Sequence, residues 1–205
     1  VKPTDTKTVN VTYDDSSRRI LFDPKTITAT NTVKNTVAIT SHGFVKGDKV
    51  LYREGSSSIG GLNDDQLYYI YPYDDNSIQF VSEKFQLSKD RPQVVDITST
   101  GNGTLFKINP PLYVKRNNKL KFDLSDPSLS FVVSGVRYSA FELRLYSDSE
   151  YTNVYDTSGT KTTFEVTTSG QPGIDADANL TLLVSDEVPT NLWYKFVPIN
   201  NDIIT

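Results

Sequence analysis

The sequence predicts an all-β protein of two small antiparallel β modules, and three observations predict it. Short runs rich in Val, Ile, Thr, Tyr and Phe recur along the 205 residues, and these are the residue types that suit a pleated surface. Clusters of Asp, Asn, Ser, Gly and Pro separate the runs. Helical periodicity is missing nearly everywhere. Strands this short and numerous belong to sandwiches or barrels rather than to a parallel α/β sheet.

In chain order the runs predict strands at Thr8–Tyr13, Val37–Ser41, Lys49–Arg53, Leu67–Tyr71, Ser77–Val81, Val94–Thr98 and Gly103–Asn109. A second set follows at Leu112–Lys115, Lys119–Leu124, Ala140–Tyr146, Thr162–Thr167, Leu180–Ser185 and Leu192–Pro198. Turn chemistry agrees with these limits. Asp74-Asp75-Asn76-Ser77 separates a Tyr-rich run from Ile78–Val81. Asx residues tolerate left-handed backbone angles and bond their own main chain, so this reads as a hairpin. Arg116–Lys119 and Asp156–Gly159 read the same way. The only helical candidate is a turn around Ser82–Leu87.

Asn109-Pro110-Pro111 is the expected boundary, because two adjacent prolines stiffen the backbone and withhold two amide donors. Residues 1–26 are then a linker segment with an exposed turn at Tyr13–Arg19. Residues 27–109 form a small β-barrel or sandwich, and residues 110–205 form a β-sandwich.

Composition narrows the function classes. Hydrophobic residues make up 37% and charged residues 22%, which supplies a core and excludes a disordered tail. No run approaches the roughly 18 apolar residues of a membrane helix, so no membrane partner is expected. The net charge is −4 with Lys and Arg scattered, which argues against a nucleic-acid footprint. Cys is absent, which removes disulfides, thiol catalysis and cysteine zinc sites. Met is absent too, so the chain begins after a removed initiator or inside a longer protein, and the second is preferred.

Few residues are placed for chemistry. His42 is the sole histidine, so a general base or triad partner would have to be this residue. Its neighbours Ser41 and Gly43 make it a turn or packing residue instead. The acidic doublets Asp14-Asp15, Asp64-Asp65 and Asp74-Asp75 sit in polar turns, where nothing desolvates a carboxyl into a general acid. Asp175-x-Asp177-x-Asn179 has the spacing that opens a calcium loop, but Leu180 follows where such a loop needs glycine. No catalytic residue, cofactor or metal is expected, and the protein reads as a non-enzyme. Tyr69, Tyr71 and Tyr73 alternate onto one face of a strand. Facing solvent, they would contact a glycan or a protein partner. Packed inward, they would sit against another sheet with hydroxyls at its rim. Trp193 is expected in the core or at a subunit contact.

The string Ile39-Thr40-Ser41-His42-Gly43-Phe44-Val45-Lys46-Gly47-Asp48-Lys49-Val50 continues through Gly60-Gly61-Leu62, Tyr68-Tyr69-Ile70, Asp75–Phe80 and Thr100–Thr104. It resembles a small β module of tailed-phage virion proteins, especially those of contractile-tailed cyanophages, and also modules of large bacterial surface proteins. Leu120–Leu129, Phe141–Asp148, Gly170–Gly173 and Pro189–Phe196 resemble a second element of such proteins, an Ig-like or cupredoxin-like β-sandwich. In related modules a loop after the last of these strands carries Cys and His able to bind copper. Here Val197–Asp202 has neither, so the resemblance implies a sandwich without the metal site. The stretch Tyr13–Pro24 resembles linkers of cyanophage baseplate or tail proteins.

The resemblance implies a structural component of a virion, in the tail, baseplate, neck or fibre-attachment region, assembled in the host cytoplasm. That compartment is reducing, which suits a chain without Cys. Its partners would be other virion proteins, including copies of itself in a symmetric assembly. The alternative is a host-recognition or carbohydrate-binding adhesin module that contacts a surface glycan.

Overall fold

A computed structural model of the chain describes residues 5–155 and 166–199. The turn expected at Asp156–Gly159 lies outside the described residues, as does the expected strand Thr162–Thr167 apart from its last two positions. The fold is all-β. Strands alternate with turns throughout, and helical structure among the described residues is limited to 3-10 turns at Lys84–Ser88 and Pro127–Leu129. The chain divides into two compact units. One is continuous, Leu21–Pro111, and the other joins Val1–Ile20 to Leu112–Thr205.

This division differs from the expected linker at residues 1–26. That stretch carries two nine-residue strands, β1 (Thr6–Asp14) and β2 (Arg19–Ile27). The reason lies in β1 itself, where Val9 and Val11 alternate inward and are fully buried. β1 pairs in parallel with β9 (Lys119–Asp123), setting Val9 opposite Phe122. A parallel pair needs a long connection rather than a hairpin, and the whole continuous unit supplies it.

The continuous unit contains β2, β3 (Ala29–Asn31), β4 (Thr36–Ala38), β5 (Lys49–Glu54), β6 (Gln66–Asp74), β7 (Ser77–Val81) and β8 (Gly103–Lys107). They lie in the order β2-β8-β5-β6-β7-β4-β3, each antiparallel to its neighbour. β2 and β3 sit at opposite ends of this order, yet only Thr28 separates them in the chain. The sheet therefore curls round into a small barrel, closed by one bent segment whose corner, Thr28, donates its amide to the Ala38 carbonyl at 2.9 Å. Alternate residues fill the interior. Val50, Tyr52, Tyr68, Ile70, Ile78 and Phe80 are all essentially inaccessible to solvent, and each large apolar side chain so buried stabilises by about 1.5–3 kcal/mol.

The strand expected at Val94–Thr98 is an extended segment outside any ladder. Its amides bond three separate places: Val95 to Phe80 O at 2.8 Å, Ile97 to Asn35 Oδ1 at 2.9 Å and Thr98 to Gly60 O at 3.0 Å. Ile97 thereby plugs the barrel core. A Cβ on Gly61, which has φ +94°, would overlap the Asp96 carbonyl of this segment, so only glycine admits the approach.

In the second unit one sheet runs β13 (Val166–Ser169), β14 (Asn179–Leu183), β9, β1. A second pairs β12 (Phe141–Tyr146) with β15 (Trp193–Pro198) in antiparallel register. Alternate residues of each turn inward: Leu120 and Phe122, Leu180 and Leu182, Phe141 and Leu143. Rings from the two sheets meet, Phe122 with Tyr194 at 5.4 Å and Tyr13 with Phe141 at 4.8 Å, which makes this unit sandwich-like. Trp193 is half-buried on β15 opposite Tyr146. Leu112–Lys115, expected as a strand, joins no sheet, and Tyr113 is exposed. A hairpin the sequence reading omitted, β10 (Ser130–Val133) and β11 (Val136–Ser139), forms a sheet of its own. Its two-residue turn has both residues at positive φ, Ser134 at 50° and Gly135 at 81°, the geometry that matches strand twist.

Candidate functional site

The outward face of β6 carries the tyrosines that the sequence singles out as candidate contact residues. β6 is an interior strand of the barrel sheet, between β5 and β7. Tyr68 and Ile70 point into the core, where Tyr68 meets Phe80 edge-on at 5.5 Å. Strand alternation then sends Tyr69 and Tyr71 to the other side, while Tyr73 is the extra residue of a β-bulge between Pro72 and Asp74. Tyr69 and Tyr71 are half-buried, and Tyr73 is 48% exposed. Cross-strand neighbours hold Tyr69 between Lys49 and Val81, and Tyr71 beside Gln79.

Each of these rings lies under a lysine ammonium. Lys49 Nζ is 6.0 Å from the Tyr69 centroid, Lys46 Nζ is 5.4 Å from Tyr71, and Lys34 Nζ is 5.4 Å from Tyr73. These are cation–π distances. The lysines come from β5, from the loop before it, and from the turn between β3 and β4. The sequence shows the tyrosines and not the lysines, because alternation reveals one strand's face but not which strand or loop lies beside it.

His42 is buried, and both ring nitrogens are engaged. Nδ1 accepts the Phe44 amide proton at 2.9 Å, so Nε2 carries the ring proton and donates to the Asp74 carbonyl at 2.8 Å. The ring also stacks on Phe44 at 5.7 Å. Left-handed Gly43 and Gly47 bracket that buried phenylalanine. The imidazole ties a loop to the start of the β6–β7 turn.

The acidic residues serve turns. Asp64 and Asp65 flank Arg53 at 3.8 and 3.5 Å, and Asp64 also accepts the Glu54 amide at 2.9 Å. Asp74 accepts the Asn76 amide at 2.8 Å, and Asp14 accepts the hydroxyls of Ser16 and Ser17. Asp175 accepts the Gln171 amide and Asp177 the Ser169 hydroxyl, while Asn179 bonds Asp177 O and Thr181. That triplet is spent on its own loop. No three His, Cys, Asp or Glu residues converge for a metal among the described residues.

A second feature lies wholly within the sandwich-like unit. A cleft of about 480 Å³ opens between β12, β14 and the β10–β11 hairpin, with Leu124, Phe141, Leu143 and Leu180 at its base and Arg137 and Glu142 among its polar lining. The hairpin carries Val133 opposite Val136 and Phe131 opposite Tyr138, so all four side chains share one face. Phe131 and Tyr138 stack at 5.8 Å, while Val133, Val136 and Tyr138 remain exposed. The signal was legible: Ser-Gly between two apolar runs marks a hairpin.

Fold and surfaces together define an all-β protein with a barrel unit, a sandwich-like unit and two candidate contact faces. Comparison with protein-family models, curated proteins and solved structures yields no match.

Proposed function

We propose that the protein is a non-catalytic structural component of a tailed-phage virion, acting through assembly contacts with neighbouring proteins and with copies of itself. The β10–β11 hairpin carries this reading. A two-stranded ribbon is marginal in water without a further strand or a packed face. This one pairs with no third strand among the described residues and exposes Val132, Val133, Val136 and Tyr138. Exposed apolar strands of this kind invite pairing with another chain, and symmetry multiplies such weak contacts. The resemblance of both units to phage modules supports the same assignment, and with it a location in the particle.

The test combines association with location. Sedimentation of the purified chain should show concentration-dependent association, and V133D/V136D should remain monomeric with its fold intact. Antibodies against the chain should label intact tailed particles at one fixed position. Purified particles that lack the chain by mass spectrometry would rule the assignment out.

The Lys-capped tyrosine face favours the second reading, a host-recognition or carbohydrate-binding module. Tyr69 and Tyr71 stand on a strand interior to the sheet, and Tyr73 in the bulge at its end is 48% exposed.

A further inference from the structure

We infer that the outer face of β6 binds an acidic polysaccharide, a polymer of carboxylated or sulfated sugars, through Lys34, Lys46 and Lys49 together with Tyr69, Tyr71 and Tyr73. The inference rests on the carbohydrate-binding reading of this face and narrows it to one charge class.

Three observations carry it. First, the lysines are charged but unpaired. Lys107 pairs with Asp48 at 3.3 Å, Arg53 with Asp64 and Asp65, and Arg144 with Glu142. Lys34, Lys46 and Lys49 meet no carboxylate among the described residues, and their partners are the tyrosine rings. Second, the hydroxyls are uncommitted. Buried Tyr52 and Tyr68 bond backbone groups through their hydroxyls, whereas the hydroxyls of Tyr69, Tyr71 and Tyr73 make no hydrogen bond among the described residues. Third, the spacing is rigid. Tyr69 and Tyr71, successive side chains on one strand face, stand roughly 7 Å apart, the flanking Tyr68 and Ile70 are locked in the core, and Tyr73 follows in the bulge that ends the strand.

The ammonium groups select the ligand class. A neutral sugar or a nucleobase would have to stack on a ring face, and here a cation already covers each ring. An acid group on a sugar can pair with the ammonium where it stands and leave the cation–π contact intact. The sugar hydroxyls then meet the free phenols. The chain as a whole is net −4, so attraction is local to this face and is screened readily by salt.

Affinity electrophoresis of the full chain tests the inference, with polygalacturonate, dextran sulfate, neutral dextran or single-stranded DNA in the gel. Both acidic glycans should retard the protein, and neutral dextran should not. K34Q/K46Q/K49Q should weaken retardation by roughly tenfold, the scale of several exposed ion pairs acting together. Y69F/Y71F/Y73F should weaken it by a smaller factor, and added salt should abolish it. None of the six belongs to the buried core, so circular dichroism should be unchanged. Retardation by neutral dextran alone would overturn the acidic class and leave the carbohydrate reading standing. Retardation by no glycan would overturn both. Equal retardation by single-stranded DNA, unaffected by Y69F/Y71F/Y73F, would reduce the face to an unselective cationic patch.

Discussion

The Tyr68 hydroxyl accepts the amide proton of Asn63 at 3.0 Å, five residues back along the chain, from a ring that is itself buried in the barrel. Tyr52 repeats the arrangement nearby, its hydroxyl donating to the Asn102 carbonyl at 3.3 Å. Two phenols thus brace loops at the barrel end.

Burial raises both phenols above the ordinary value of 10.0, outweighing the backbone hydrogen bonds that favour their ionised forms. In the unfolded chain they ionise at the ordinary value. Their contribution to stability is therefore complete below pH 10.0 and is lost as pH rises through the raised folded values. Tyrosinate absorbance and near-ultraviolet circular dichroism should change together in this alkaline range. Ionisation of both phenols with the fold retained would contradict it.

His42 predicts a stability effect without an activity effect. His42→Ala leaves the buried Phe44 amide without its acceptor and the Asp74 carbonyl without its donor. The unmet buried amide costs about 1–3 kcal/mol, while the carbonyl of exposed Asp74 turns to water, so urea unfolding should show a loss of about 1–3 kcal/mol. A loss under about 0.5 kcal/mol, the scale of an ordinary surface substitution, would mean that the ring does not brace this loop.

Two glycines separate backbone strain from collision. Gly61 and Gly135 both have positive φ, +94° and +81°. A Cβ at Gly61 overlaps the Asp96 carbonyl, whereas one at Gly135 meets nothing within 4 Å. Gly135→Ala should cost about 1 kcal/mol, the left-handed penalty alone. Gly61→Ala should cost more than about 2 kcal/mol, because the Val94–Thr98 segment must also move. Equal losses by urea titration would show that the close approach does not exist.

Asp148 organises the loop after β12. Its carboxylate accepts amides from Thr152 and Glu150 at 3.0 Å and from Asn153 at 2.6 Å, with the Thr152 hydroxyl at 3.1 Å. These bonds, the Thr152 amide foremost, hold its pKa below the ordinary 3.8 and outweigh the opposing desolvation. The loop's stabilisation is thus present above that ordinary value and disappears as pH falls through the depressed one. Amide resonances of Glu150, Thr152 and Asn153 should all report this acidic titration. Asp148→Asn should remove the titration and speed hydrogen exchange at the same amides. Midpoints at an ordinary carboxyl value would disprove the assignment.

Much of this fold was legible because strand alternation is a local property. Thr8–Tyr13, Lys49–Arg53, Ser77–Val81 and Leu192–Pro198 lie where the sequence reading placed strands, within a residue or two. The Asp74–Ser77 turn and the 3-10 turn beginning at Lys84 lie where turn chemistry and weak helical pattern put them. That Tyr69 and Tyr71 share a face followed from parity, whereas its direction, left open between solvent and another sheet, is set by the burial of Tyr68 and Ile70 on the opposite side. The β10–β11 hairpin was equally visible in Phe131-Val132-Val133-Ser134-Gly135-Val136 and was passed over.

Partnership was not legible. Alternation says which side of a strand meets the core, but the same Val9 and Val11 would suit any apolar neighbour. Only the folded chain sets β1 beside β9 across an inserted unit, and closes β2 and β3 into a barrel through Thr28. Those pairings depend on which distant strands bury the most surface together, a sum over the whole unit that no local window contains. The same holds for Lys34, Lys46 and Lys49: each is an ordinary surface lysine in sequence, and only the pairing of strands and the path of the loops bring them over the rings.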